Sequence, residues 1–156
     1  MEPARVVRLV TRPRAITTRV TRLHAAVLRA GRGRIRRSLV LGGGQPVLSL
    51  ETLGRRSGVR RRTVVAYLRD GAGWALFGMN LGNESDPAWS LNLEARRDAV
   101  ITVDGRSVPV VARRVRGSEA ERLWRLYVAR LPAAERFRAI AGREIPVWLL
   151  EERDTR

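Results

Sequence analysis

At residues 52–63 the chain reads TLGRRSGVRRRT, between apolar stretches at Val47–Leu50 and Val64–Leu68 that are typical of strands. Its two glycines allow a tight turn and a close approach of backbone to a ligand, and successive turn N–H groups can form a concave anion site. Arginine side chains match the geometry of carboxylate and phosphate groups. Two interpretations follow from these residues alone: an anion-binding turn, or a solvated basic hairpin turn.

The sequence around this turn predicts six strands and three helices. The strands cover residues 47–52, 63–69, 74–80, 99–103, 106–115 and 145–150. The helices cover residues 86–96, a segment that opens at residue 118, and residues 133–141. Asp86 before Pro87 predicts a helix N-cap, and Ser118 with Glu121 predicts a capping box. Because short turns such as Asp104-Gly105 join neighbouring strands, we expect an α+β fold whose mostly antiparallel sheet can close into a barrel.

A glycine run at residues 42–44 separates this pattern from a basic N-terminal segment. We expect two parts: a helical extension over residues 1–41 and a domain over residues 42–156. Apolar residues recur every three or four positions within residues 16–28, so the extension is expected to be an amphipathic helix. It can pack on the domain, which we favour, or lie on an anionic membrane.

The composition of the 156 residues excludes several classes of chemistry. There is no cysteine, so disulfides, thiolate catalysis and Cys-ligated zinc are excluded, and one histidine, His24, leaves almost nothing for a triad or a metal site. The net charge of +16 implies an anionic partner, although the absence of lysine points to genome composition as one source of the arginines. No apolar run is long enough for a transmembrane helix or a signal peptide, so we expect a cytoplasmic protein.

The acidic residues suggest no acid–base pair, and no Gly-x-Gly-x-x-Gly opens a βαβ unit, so an enzyme of this sequence would take its chemistry from a cofactor. Three segments could build such a site: the arginine turn, residues 77–82 and residues 86–93. The lack of bulk at Gly78 and Gly82 would let a flat ring lie against backbone. Trp89 and Asn92 lie three apart on one helix face, and a buried amide needs partners that a ligand could supply.

These segments resemble the deazaflavin (F420)-dependent nitroreductases, also described as F420H2-dependent quinone reductases. The similarity rests on TLGRRSG with Arg61 and Thr63, on Asn80-x-Gly82, on residues 87–93 (PAWSLNL), and on residues 142–147 (GREIPV). The resemblance spans roughly residues 45–151. It implies a split β-barrel that binds coenzyme F420, a deazaflavin with a phosphate and an oligoglutamate tail, and that transfers hydride to a quinone- or nitro-type acceptor.

The resemblance also assigns residues to the cofactor and the substrate, with no catalytic side chain and no metal. The cofactor-binding set is Arg55, Arg56, Ser57, Arg61, Arg62, Thr63, Val64, Val65, Ala66, Phe77, Gly78, Met79, Asn80, Ala88, Trp89, Ser90, Leu91 and Asn92. The first three residues would hold the phosphate and tail, and the residues at 77–80 and 88–92 would contact the ring. The substrate pocket would include Leu131, Ala134 and Phe137, where the family places tyrosines that this chain lacks.

Three alternatives stay open from the sequence. The same barrel could bind FMN, whose single phosphate needs fewer arginines. A non-catalytic basic module for nucleic acid or a membrane surface would also explain the charge, although no specific nucleic-acid motif is present. We further expect a small-molecule electron acceptor, while a homodimer and peripheral contact of the N-terminal helix with the inner face of the cell membrane stay open.

Overall fold

Six antiparallel strands form a closed barrel in the computed structural model, which describes residues 44–154. Around the barrel the strand order is β1-β2-β3-β6-β5-β4, and β4 pairs with β1 to close it. The strands are β1 Val47–Leu53, β2 Arg60–Asp70, β3 Gly73–Phe77, β4 Asp98–Val103, β5 Arg106–Val115 and β6 Val147–Glu152. The helices are α1 Ala88–Ala95, α2 Gly117–Arg130 and α3 Ala133–Ala141, with a 3-10 turn at Asn80–Gly82. The predicted antiparallel α+β barrel is confirmed.

Two apolar clusters hold the barrel and its helices together. Alternate residues of the strands fill the barrel, among them Leu48, Leu50 and Ile101, which are 2%, 0% and 0% exposed. Burial of each such side chain stabilises the fold by about 1.5–3 kcal/mol. The second cluster joins β3 and β6 to α2 and α3, and it includes Phe77 stacked on Tyr127 at 4.3 Å between ring centroids.

Helix α1 packs against the barrel cluster through Trp89 and Leu93. Its Ser90 lies at the base of this contact, where the Trp148 indole N–H donates to Ser90 Oγ at 2.9 Å. A buried indole N–H without a partner would be costly, which explains a buried serine in an apolar helix. The buried face of α1 is therefore fixed to the barrel, and its exposed residues lie on the other face of the helix.

Several predicted boundaries and caps differ from the structure. The second strand begins three residues earlier than expected, at Arg60, and the third ends at Phe77 instead of Asn80. Asp86 does not cap α1, because Pro87 occupies the N-cap position and the Asp86 carboxylate binds Arg143. The capping box was also wrong: α2 begins at Gly117, and no side chain caps its first turn.

The predicted turn at Asp104-Gly105 and the helix over residues 133–141 are confirmed. Asp104 and Gly105 have φ angles of 50° and 78°, as a two-residue turn of the primed type requires. The predicted N-terminal helix and nearly all of the glycine run lie outside the described residues. Within residues 44–154, no helix is both long and apolar enough to cross a membrane.

Candidate functional site

A cleft of about 410 Å³ lies where the arginine turn meets the N-terminal half of α1. It is lined by Thr52, Gly54, Arg55, Arg56, Ser57, Arg61, Arg62, Thr63, Ala88, Trp89 and Asn92. Segments nearly 40 positions apart in the chain thus form one surface. The cleft pairs a strongly basic wall with the ring of Trp89.

The turn at residues 54–59 is held mainly by its own hydrogen bonds. The Gly54 N–H donates to the Val59 carbonyl at 2.8 Å, the Gly58 N–H to the Gly54 carbonyl at 2.7 Å, and the Val59 N–H to Ser57 Oγ at 3.2 Å. Gly58 has a φ of +66°, a conformation that glycine adopts without strain. With the Arg55 N–H also bonded, the turn offers a ligand at most the N–H groups of Arg56 and Ser57. The expected anion site of successive N–H groups is therefore small, and the arginine side chains must supply most of the attraction.

Asn92 joins α1 to this turn. Its Oδ1 accepts the Arg55 N–H at 3.1 Å, and its Nδ2 donates to Thr52 Oγ1 at 3.1 Å. Asn92 is 5% exposed and Thr52 is 3% exposed, so both groups find partners within the protein. The amide therefore positions the turn, and its contact with a ligand stays a prediction.

The strand register sorts the arginines of β2 between two faces. Directly opposed residues of antiparallel strands point to the same face, and Arg61 lies opposite buried Thr52 while Arg62 lies opposite Glu51. Glu51 accepts hydrogen bonds from Arg60 at 2.7 Å and Arg62 at 2.9 Å. These two bonds, the one from Arg60 first, lower the pKa of Glu51 below its usual value.

Three arginines on the cleft have no carboxylate partner among the described residues. Within residues 44–154, the guanidinium groups of Arg55, Arg56 and Arg61 form no ion pair. Arg62 also borders the cleft, but its charge is shared with Glu51. Three unpaired cations facing one cleft favour a ligand with several negative charges.

The family model for F420H(2)-dependent quinone reductase matches residues 20–152. The chain belongs to this family. F420H(2)-dependent quinone reductases from two Mycobacterium tuberculosis strains are each 31% identical to it over 115 residues, which are 72% of this chain and 76% of theirs. The match of the family model begins inside the segment that we predicted to be an extension.

Solved structures of similar fold agree with this membership. An F420-H2 dependent reductase, FDR-A, superposes with a TM-score of 0.62 at 25% identity, covering 68% of this chain and 94% of that one. A domain-swapped dimer superposes with a TM-score of 0.64 at 22% identity over 86% of this chain and 98% of that one, which shows the fold alone. The resemblance to F420-dependent enzymes drawn from the sequence is thus confirmed.

Nine of the residues predicted for this family member's cofactor lie together on the cleft, and others do not. On β2, Val65 packs against the barrel cluster, while Val64 and Ala66 are half-buried on the Arg62 side of the strand. On α1, Ser90 is buried beneath the helix, and half-buried Leu91 does not border the cleft.

The predicted ring-lining segment at residues 77–80 forms a separate feature. Phe77 is 7% exposed and belongs to the cluster beneath α2, whereas Met79 and Asn80 are half-buried. A Cβ at Gly78 would lie 2.5 Å from Pro146 Cγ, and one at Gly82 would lie 3.1 Å from Ile140 Cγ2. The missing bulk at both glycines therefore accommodates the protein's own side chains, and the expectation that it leaves room for a flat ring was wrong.

The three residues predicted for the substrate pocket differ in accessibility. Ala134 is 0% exposed in the cluster beneath α3, so its side chain has no open surface for a substrate. Leu131 packs against the same cluster, and Phe137 is half-buried. Leu131 and Phe137 are both half-buried, so these two, and not Ala134, offer apolar surface to a substrate.

Two residues that hold the surroundings of the cleft, Thr52 and Arg143, are not assigned a role from the sequence. Thr52 orients Asn92, and its signal was available, because alternation along β1 places it on the inward face with Leu48 and Leu50. Arg143 binds the loop between β3 and α1. Nothing in its local sequence predicts that contact, since its partners lie about 60 positions earlier.

Proposed function

We propose that this protein transfers hydride from reduced coenzyme F420 to a quinone-type acceptor. The observation that carries the proposal is the gathering on one cleft of three arginines that are unpaired within residues 44–154, in a member of the F420H(2)-dependent quinone reductase family. Coenzyme F420, when bound, supplies the redox chemistry as a hydride donor. The chain supplies binding, orientation and electrostatics.

The cleft residues fit an elongated polyanion. Arg55, Arg56 and Arg61 would hold the phosphate and the tail carboxylates, with Ser57 as a further hydrogen-bond donor. The backbone positions of two of these arginines are set before binding, since Asn92 fixes the backbone of Arg55 and the β1–β2 register fixes that of Arg61. A fixed backbone reduces the part of the ordering cost that the chain would pay on binding, while the exposed arginine side chains still lose rotamer freedom.

Four residues of the predicted cofactor set would contact the ring: Trp89, Met79, Asn80 and Ala88. Trp89 presents an aromatic surface on the cleft, where it excludes water and packs against a flat group. Met79 and Asn80, half-buried at the exit of β3, would border the ring on its other side. Ala88, at the start of α1, leaves room between them because its side chain is small.

The acceptor side of the site is apolar. Phe137 and Leu131 would contact an electron-poor ring, and residues 131–141 contain no tyrosine to donate a proton. Burial raises the pKa of Tyr127 to about 12, so this phenol stays protonated at neutral pH within its stack on Phe77. Protonation of the reduced acceptor therefore relies on solvent in this proposal.

A binding and turnover experiment on the full chain tests the proposal. We expect saturable, salt-sensitive binding of F420, followed by its fluorescence, and oxidation of F420H2 that depends on added quinone. FMN and duplex DNA serve as competing ligands. Absence of saturable F420 binding, or tight binding of FMN or DNA in its place, would refute the proposal.

The homodimer and the membrane contact, which the sequence leaves open, can each be measured directly. Light scattering of the full chain should give twice the 17.5 kDa chain mass. Sedimentation with anionic vesicles, with and without residues 1–41, measures peripheral membrane contact. A monomer mass, or equal sedimentation of both forms, would contradict the respective prediction.

A further inference from the structure

Arg143 connects the segment before β6 to the loop between β3 and α1. Its side chain is 16% exposed, and its three nitrogen atoms make six hydrogen bonds. Nε donates to the Asn83 carbonyl at 3.1 Å. Nη1 donates to Asp86 Oδ1 at 2.6 Å and to the Glu144 carbonyl at 3.1 Å. Nη2 donates to the carbonyls of Gly78 at 3.0 Å, Met79 at 3.4 Å and Ser85 at 3.1 Å. All five N–H groups of the guanidinium are thereby used.

The loop that Arg143 binds contains strained backbone. Asn80 and Leu81 are consecutive non-glycine residues with φ angles of 47° and 54°. Such conformations persist where the surroundings hold them. The loop's own side chains provide two bonds, from Asn80 Nδ2 to the Ser85 carbonyl at 2.9 Å and from Asn83 Nδ2 to the Asn80 carbonyl at 2.7 Å.

Arg143 adds contacts to both ends of this loop. Its bond to the Gly78 carbonyl fixes the exit from β3, and its ion pair with Asp86 fixes the chain two residues before α1 begins. The first end leads into Met79 and Asn80, and the second into the helix that carries Trp89 to the cleft. One side chain therefore sets the spacing between the β3 exit, which is proposed to border the cofactor ring, and the helix that lines the cleft.

We propose that Arg143 is a positioning residue for hydride transfer: it holds residues 78–86 so that the β3 exit and α1 face the cofactor ring at a fixed separation. This inference rests on the proposed function. Arg143 does not border the arginine cleft, so its role differs from that of the residues that hold the phosphate and tail.

The chemistry requires arginine at this position. A lysine ammonium keeps the charge for Asp86, but it has three donors at one point and cannot span carbonyls along the loop. Arg143→Lys should therefore preserve the ion pair and lose the loop geometry, and Arg143→Gln should lose both. Because a displacement of about 1 Å at a reacting centre can lower the rate about 100-fold, we expect both variants to reduce kcat by roughly 10–100-fold.

The test compares these variants with Arg122→Gln in the full chain. Arg122 makes a bidentate ion pair with Asp70 at 2.8 and 2.9 Å, away from the cleft, so it controls for loss of an arginine–carboxylate pair. Three quantities are measured: the Kd for F420, kcat for quinone-dependent F420H2 oxidation, and hydrogen exchange of residues 78–86. If Arg143→Gln does not fold, Arg143→Lys and Asp86→Asn provide the same readouts.

We expect the Arg143 variants to lower kcat far more than they raise the Kd, with faster exchange confined to residues 78–86. Suppose that the wild-type protein binds F420 and turns over, but that the Arg143 variants match the Arg122→Gln control in kcat and in loop exchange. That result would overturn the inference and leave the proposed function intact. Parallel losses of affinity and kcat would overturn it as well. A wild-type protein that does not bind F420 would refute the proposed function and, with it, this inference.

Discussion

Replacing Asn92 with alanine separates the positioning of the arginine turn from its charge. The substitution removes the bond from the Arg55 N–H to Oδ1 and the bond from Nδ2 to Thr52 Oγ1, each 3.1 Å long. Each hydrogen bond contributes about 0.5–1.5 kcal/mol net, and the Thr52 hydroxyl, in a residue 3% exposed, is left without its partner. We therefore expect the free energy of unfolding to fall by about 2–3 kcal/mol and the melting temperature by roughly 5–10 °C.

Urea and thermal denaturation of the full chain measure this loss, and Ser118→Ala is the control. Ser118 is exposed and its side chain does not cap α2, so its replacement should change stability by less than about 0.5 kcal/mol. The same Asn92→Ala protein should bind F420 more weakly, because the Arg55 backbone loses its anchor while all arginines remain. A stability change below about 0.5 kcal/mol, or unchanged F420 affinity, would refute the positioning role.

Asn92→Asp provides the complementary perturbation. The carboxylate can still accept the Arg55 N–H and a bond from the Thr52 hydroxyl, so the turn geometry should persist. It also adds a negative charge to a cleft that is expected to bind an anion. We expect Asn92→Asp to be closer to wild type in stability than Asn92→Ala is. We also expect it to bind F420 more weakly than wild type, and its affinity to increase less than that of wild type when the salt concentration is lowered. Equal affinity of the Asp variant and wild type would contradict the anion-binding role of the cleft.

Three further substitutions test the packing and electrostatics around the site. Gly78→Ala should lower stability by about 1–3 kcal/mol in urea denaturation, because the added Cβ would lie 2.5 Å from Pro146 Cγ, and an unchanged midpoint would contradict that contact. Ser90→Ala should cost about 1–3 kcal/mol in the same assay, since the Trp148 indole N–H loses its acceptor, and a neutral result would refute this. Glu51→Gln should lower stability at neutral pH by about 0.5–1 kcal/mol, given exposed arginine partners. The pKa of Glu51 in the folded state lies below 4.5, so the contribution of Glu51 to stability is complete above pH 4.5 and is lost as the pH falls through the folded-state pKa. In a pH series of melting temperatures, the difference between Glu51→Gln and wild type should therefore vanish in acid. A difference that stays constant with pH would contradict this.

The barrel itself follows from local signals in the sequence. Alternating apolar residues predict the strands, and the glycine turn at residues 104–105 predicts the β4–β5 hairpin with the bounds of β5 unchanged. The predicted start of β2 was wrong because polar residues extend this strand. The arginines at the start of β2 look like turn residues, yet they pair with β1 as far as Leu53 because the ladder continues once the register is set.

The candidate site was predicted in part for a different physical reason. The arginine turn and the Trp89 face of α1 were recognised because each carries its own chemistry. The register of β2 against Glu51 decides which arginines stay unpaired. The space beside Gly78 is occupied by Pro146, which lies more than 60 positions away in the chain. Such long-range contacts leave no local pattern, which is also why Asp86 was taken for a helix cap instead of a partner of Arg143.

The most direct test compares F420 binding by Arg61→Ala and Arg60→Ala in the full chain. The two arginines are neighbours on β2 with the same charge, but Arg61 faces the cleft without an ion pair within the described chain, and Arg60 is bound to Glu51 on the other face. Loss of one charge-assisted bond of about 1.5–3 kcal/mol predicts a Kd raised roughly 10–100-fold for Arg61→Ala. Arg60→Ala should stay within about threefold of wild type. Equal effects of the two substitutions would show that general charge, and not this cleft, binds the cofactor.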